Sequence, residues 1–216
     1  MNRSSILKIL ATANVTVGIL LPLWWICMGF GLPVKEAAAD FDMLITHANW
    51  VPVNLIGMAA CLVWLLSLPS LLLFAYERSG ILAFPGTVCA GIGAALFTAI
   101  QYYETFIWPV VARTNPELLK IDGALVFGSR LVLAPLLFSG VILGIGYLLL
   151  GIDLIQKRRL PRPVVLMLTI GGIVFGNGIV VPVRTLGMLS FAAAMVWIGV
   201  IMHRHALTGV TSGNLH

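Results

Sequence analysis

Gln101-Tyr102-Tyr103-Glu104-Thr105-Phe106-Ile107-Trp108-Pro109 sits inside an apolar run that extends from Ile81 to Ala112. At about 1.5 Å per helical residue such a run crosses roughly 30 Å of hydrocarbon with residues to spare, so it predicts a membrane-spanning helix that carries an acid. A carboxylate in that setting costs on the order of 3 kcal/mol unless it is paired, hydrated or protonated. Glu104 is therefore the residue about which the rest of the chain is read.

The surroundings agree with a membrane. Hydrophobic residues make up 60% of the 216 and charged residues 10%, whereas a soluble domain carries roughly a quarter charged residues. Mean hydropathy is +1.03. Five further apolar segments can be marked, Ser5 to Gly31, His47 to Tyr76, Arg130 to Gly151, Pro163 to Val183 and Thr185 to Met202. The expected fold is an all-α integral membrane protein, a six-helix transmembrane bundle occupying residues 1–216 as a single domain. The first run is too long for the apolar core of a cleaved signal, about 7–15 residues, so it is expected to stay as a span even though Ala37-Ala38-Ala39 resembles a cleavage site.

The net charge of +5 does not point to nucleic acid, because the basic residues stand at the ends of apolar segments, where they set topology and meet lipid headgroups. With the N-terminus inside, the inner segments hold Arg3, Lys8, Arg78, Lys157, Arg158, Arg159, Arg162 and Arg204. The outer ones hold Lys35, Arg113, Lys120, Arg130 and Arg184. That excess predicts both termini on the inner side of, by expectation, a bacterial inner (cytoplasmic) membrane. Cys27, Cys61 and Cys89 lie inside apolar runs without CxxC spacing and read as small buried hydrophobes.

Two outer loops carry local signals. Pro33 to Thr46, with Phe41, Met43, Leu44 and Ile45 among Glu36, Asp40 and Asp42, suits a short interfacial helix. Asn115-Pro116-Glu117 reads as the N-cap, first-turn proline and first-turn acid of another, ordinary connecting loops being the alternative in both places.

A repeat is also visible. Pro22, Pro109 and Pro182 fall towards the outer ends of the odd-numbered segments, with Asn14 and Gln101 each eight residues before their proline and Glu104 and Asn177 each five before. Three helical hairpins of common descent would give this pattern, and so would chance among apolar pentapeptides. Pro22, Pro52, Pro109, Pro135 and Pro182 are expected to kink and splay the outer half of the bundle, opening a cavity there. Gly140, Gly144, Gly146, Gly172 and Gly176 supply faces where helices approach closely.

The polar residues gather at the same end. Gln101, Glu104, Thr105 and Trp108 share one helical face; His47, Asn49, Trp50 and Asn54 start the second segment, and Asn177 and Arg184 close the fifth. The candidate cavity lining is Glu104, Gln101, Trp108, His47, Asn49, Asn177 and Arg184. Each has a plainer reading. Trp24, Trp25 and Trp50 suit an interfacial belt, Arg130 and Arg184 snorkel to phosphates, and Asn14, Asn54 and Asn177 join helices at about 0.6 kcal/mol each. His47 at a boundary reads as a water-exposed helix start. Neutral packing does not explain Glu104, which could exchange a proton or hold a cationic ligand stacked on Trp108 or Tyr103.

No cofactor and no metal site are implied. Haem would need two intramembrane histidines and only His47 is near; His203, His205 and His216 offer an adventitious metal signal at the other end. HExxH, GxSxG and phosphate-loop patterns are absent from any fitting context. Three functions stay open: a small transporter or ligand-binding subunit with a small-molecule ligand, an accessory subunit packed against another membrane protein or a homo-oligomer partner, and an intramembrane enzyme using Glu104 and His47 as acid and base. In size and helix count alone the chain is similar to the substrate-binding subunits of vitamin importers.

Overall fold

A computed structural model describes residues 3–34, 41–75, 80–120, 123–126, 128–158, 160–177 and 181–208. In an apolar solvent the backbone must satisfy its own polar groups, and a helix does so within one segment. The described residues accordingly form helices and no strand: α1 (Arg3–Gly31), α2 (Phe41–Ile45), α3 (Trp50–Ala75), α4 (Ala83–Tyr102), a π turn (Tyr103–Ile107), α5 (Trp108–Thr114), a 3-10 turn (Pro116–Leu119), α6 (Arg130–Lys157), α7 (Arg162–Asn177) and α8 (Val181–Thr208). Five stretches are long and apolar enough to cross a membrane: α1, α3, the continuous α4–α5 rod, α6 and α8. The sixth apolar helix, α7, has 16 residues and spans only about 24 Å.

The long helices close into a ring in chain order. α1 packs on α3, α3 on α4, α4 on α6, α6 on α7, α7 on α8, and α8 returns to α1. The end carrying Gly31, Trp50, Thr114, Arg130, Asn177 and Val181 is termed distal below, the opposite end proximal. Small residues set the closest crossings. A Cβ at Gly93 would stand 2.7 Å from the Leu143 backbone, Gly146 meets the backbone of Ala90, Gly140 that of Gly176, and Gly172 the Tyr147 ring. The centre is filled by aromatics, one from each of five helices: Trp64, Phe97, Tyr147, Phe175 and Phe191. The Trp64 indole N–H donates to the Tyr147 hydroxyl at 2.7 Å, satisfying both inside the plug.

Several expectations are corrected. The fifth apolar segment does not run to Val183. α7 stops at Asn177 and α8 has begun by Val181, so Pro182 lies in the first turn of α8, where its missing N–H is needed least. Pro52 occupies the first turn of α3 in the same way. Neither kinks a span, and the third member of the proline repeat loses its place, Gly178 to Val180 lying outside the described residues. Helix-interior prolines are Pro22, Pro69 and Pro135. α6 continues six residues past Gly151, and α8 is longer than Thr185 to Met202 at both ends. Trp24 and Trp50 are not belt residues: both are buried, Trp24 against Gly57. Of the expected interfacial helices, the first is the five-residue α2, with Glu36 and Asp40 outside the described residues. The second is a single 3-10 turn whose Asn115 side chain makes no cap, braced by a Lys120–Glu117 ion pair at 2.7 Å. Arg78, Arg159 and His216 also fall outside the described residues.

Candidate functional site

The position of Glu104 follows from Pro109. A proline has no amide hydrogen and its ring crowds the carbonyl four residues back, a strain that the helix before Pro109 relieves by widening. It passes through the π turn: the Trp108 N–H bonds the Tyr103 carbonyl, five residues back, instead of that of Glu104. Turns of this kind are rare and frequent at functional sites. The released Glu104 carbonyl accepts a hydrogen bond from the Trp50 indole N–H at 3.0 Å. Trp50 also stacks on Trp108, with ring centroids 6.3 Å apart and planes 20° from parallel. One turn towards the proximal end, the Gln101 amide donates to Asn54 Oδ1 at 2.9 Å and the Asn54 amide to the Trp50 carbonyl at 3.0 Å. Thus α3 grips the irregular turn at three points and fixes where its acid points.

Arg184 enters from the first turn of α8. Its guanidinium carbon stands 5.7 Å from the ring centres of Trp25 and Phe175 and 5.9 Å from that of Phe97, a box drawn from α1, α7 and α4. Aromatic faces attract a guanidinium, so the box itself helps to hold the charge. Its Nε finds no hydrogen-bond partner among the described residues. The charges of Glu104 and Arg184 act on one another, and Glu104 also acts on Cys61 of α3. No direct ion pair joins Glu104 and Arg184 among the described residues; both are half-buried. The arrangement is a carboxyl group and a guanidinium that act on one another without a direct ion pair among the described residues, the guanidinium lying over aromatic rings.

The other candidates divide. Gln101 and Trp108 adjoin the acid but are engaged with α3, and they position it. Asn177 is exposed, its amide donating to the Gly140 and Ile173 carbonyls at 2.9 Å each, so it ties the end of α7 to α6. His47 and Asn49 are exposed at the distal surface, in an open recess of about 530 Å³ lined by residues 29–34. The Asn49 N–H donates to His47 Nδ1 at 3.2 Å, and its side-chain amide to the Gly31 carbonyl at 3.0 Å. The described structure thus brings Glu104 and Arg184 to one interior and leaves His47 and Asn49 outside it.

Sequence reasoning missed the box and a second acid. Trp25, Phe97 and Phe175 carry no motif and come from three different helices, so no local signal in the sequence gathers them. Asp153 is 1% exposed near the proximal end of α6, beside Gly80, with neither carboxylate oxygen hydrogen-bonded among the described residues. Ending the fourth segment at Gly151 excluded it, although its four-residue spacing from Lys157 marks a continuing helix. Among the described residues no group of three His, Cys, Asp or Glu is placed to hold a metal.

Fold and site together define a class: an all-helical bundle compatible with membrane insertion, with an interior acid and guanidinium kept apart. No known family model, curated protein or solved structure matches the chain.

Proposed function

We propose that this chain is a six-span membrane protein, N-in and C-in, acting as a small transporter or ligand-binding subunit, with its ligand taken between Arg184 and Glu104. One observation carries the reading: two opposite charges face the same interior without touching. Removing them from water costs energy that direct contact would partly return, and contact is not made. A molecule bearing groups complementary to both charges recovers that loss, and Trp25, Phe97 and Phe175 offer its remainder a wall. α7, short for a span, reaches across the bilayer in this reading with the help of Arg162, whose long side chain extends to the headgroups. The expected home is a bacterial inner membrane.

The accessory-subunit reading is supported by the small-residue faces, but those are used inside the ring, Gly93 and Gly146 between α4 and α6 and Gly18 against α8. The enzyme reading draws no support, since His47 is exposed and bonded to Asn49. The test is a thermal-shift screen of the detergent-purified protein against small zwitterions, cations and anions. A ligand at 100 times its Kd raises stability by about 2.7 kcal/mol through mass action. The proposal expects a hit that Glu104→Gln and Arg184→Gln both abolish. Hits that persist unchanged in both variants would sink it.

A further inference from the structure

The corner where α6 gives way to α7 carries uncompensated positive charge. Lys157 ends α6, Arg158 follows it and Arg162 begins α7. Arg158 and Arg162 are exposed; Lys157 is half-buried, with its Cε 3.3 Å from where a Cβ on Gly80 would stand. Among the described residues none of the three makes an ion pair, and the acid at this end of the bundle, Asp153, is 1% exposed and so is withdrawn from the surface.

The corner is also stiff. Arg158 has φ 51°, the one positive φ of a non-glycine residue among those described, at a helix end where glycine is the usual occupant. An L side chain is strained in that left-handed conformation, and strain held by its surroundings points to a function for the residue that bears it. Leu160, 4% exposed, is sunk in the core, and Pro161 and Pro163 fix their own φ on either side of Arg162. The cations are therefore presented on a turn with little freedom left to lose on binding.

Going beyond the Glu104–Arg184 site, we propose that this corner binds the phosphate of an anionic phospholipid in the leaflet at the proximal end, the inner leaflet in the topology proposed above. Basic residues beside a span attract anionic headgroups, and a guanidinium takes two oxygens of one phosphate. With no acid of its own at the surface, the corner gives up no internal partner to do so. A headgroup held at Arg162 also fixes the level at which α7, the shortest of the apolar helices, enters the bilayer.

The test titrates the full-length protein, stripped of lipid in mild detergent, with phosphatidylglycerol, phosphatidylethanolamine and water-soluble glycerophosphoglycerol, read by native mass spectrometry and thermal unfolding. Each basic residue at an anionic surface adds about fivefold in affinity, so Arg158→Gly/Arg162→Gln should weaken phosphatidylglycerol binding by about 25-fold and bring it down to the level of phosphatidylethanolamine. Without lipid, Arg158→Gly should unfold no lower than the parent, since glycine relieves the left-handed position; this separates lost binding from lost fold, and a lower Tm overturns the claim of strain. Arg113→Gln/Arg130→Gln removes the same charge from the distal end and should leave phosphatidylglycerol binding unchanged. An equal loss in that control reduces the effect to net charge and overturns the corner. Equal affinity of the parent for phosphatidylethanolamine overturns the anion, and equal affinity for glycerophosphoglycerol overturns membrane lipid as the occupant. None of these variants alters Glu104 or Arg184, so failure here leaves the function proposed above to its own screen.

Discussion

Gly93→Ala tests how the bundle is built. The added Cβ would stand 2.7 Å from the Cα, Cβ and N of Leu143, where ordinary contact begins at 3.4 Å. Backbone cannot rotate away as a side chain can, so α4 and α6 must separate by roughly 0.7 Å at a crossing whose neighbours Gly86 and Gly146 are equally tight. Overpacking of this kind costs about 1–3 kcal/mol, and at this chain length each kcal/mol lowers Tm by about 2–4 °C in soluble proteins. A fall of about 2–12 °C is expected. Gly91→Ala is the matched control: it lies on the same helix, and its Cβ would meet only the Leu68 side chain at 4.0 Å. That change should be neutral or stabilising, since alanine favours helix by nearly 1 kcal/mol over glycine. The assay is thermal unfolding in mild detergent, followed by circular dichroism and by a thiol-reactive dye, Cys61 being fully buried. Equal Tm values for the two variants would refute the close α4–α6 crossing.

Other expectations follow from single contacts. Trp50→Phe removes the donor to the Glu104 carbonyl and should cost about 1–3 kcal/mol, the penalty of an orphaned buried acceptor; an unchanged Tm would show that the π turn does not depend on it. Asn177→Ala frees the end of α7 from α6 and should lower stability by about 0.6 kcal/mol, seen as faster amide exchange confined to the last turn of α7; protection lost throughout the helix would contradict this. Single cysteines replacing Lys120 and Lys157 in a cysteine-free background should label from opposite sides of sealed vesicles, and labelling from one side rejects the six-span topology.

Much of the fold was legible because hydrophobic runs report helices directly in a chain this apolar. The limits of those runs were not. Charge within a helix end reads as a boundary, so Asp153 was placed outside α6 although the helix carries it inwards. The boundary between α7 and α8 was hidden because the residues from Gly178 to Val183 are apolar, and the proline that looks like a helix end is a helix start. That error moved Arg184 to the wrong helix. Glu104 was legible from cost alone, since an acid within an apolar run demands a reason. Its partner was named but not its surroundings, because Trp25, Phe97 and Phe175 come from three helices whose rotation no local pattern fixes.

The most direct test is native mass spectrometry of the protein gently extracted from its own membranes. A ligand site between Glu104 and Arg184 predicts one stoichiometric small-molecule adduct that survives where loose lipid is stripped, and that disappears in Glu104→Gln and in Arg184→Gln while both variants stay folded. An adduct that persists in both, or a preparation that yields only heterogeneous lipid or a co-purifying protein, would contradict a ligand site between these two residues and move the accessory-subunit reading to first place.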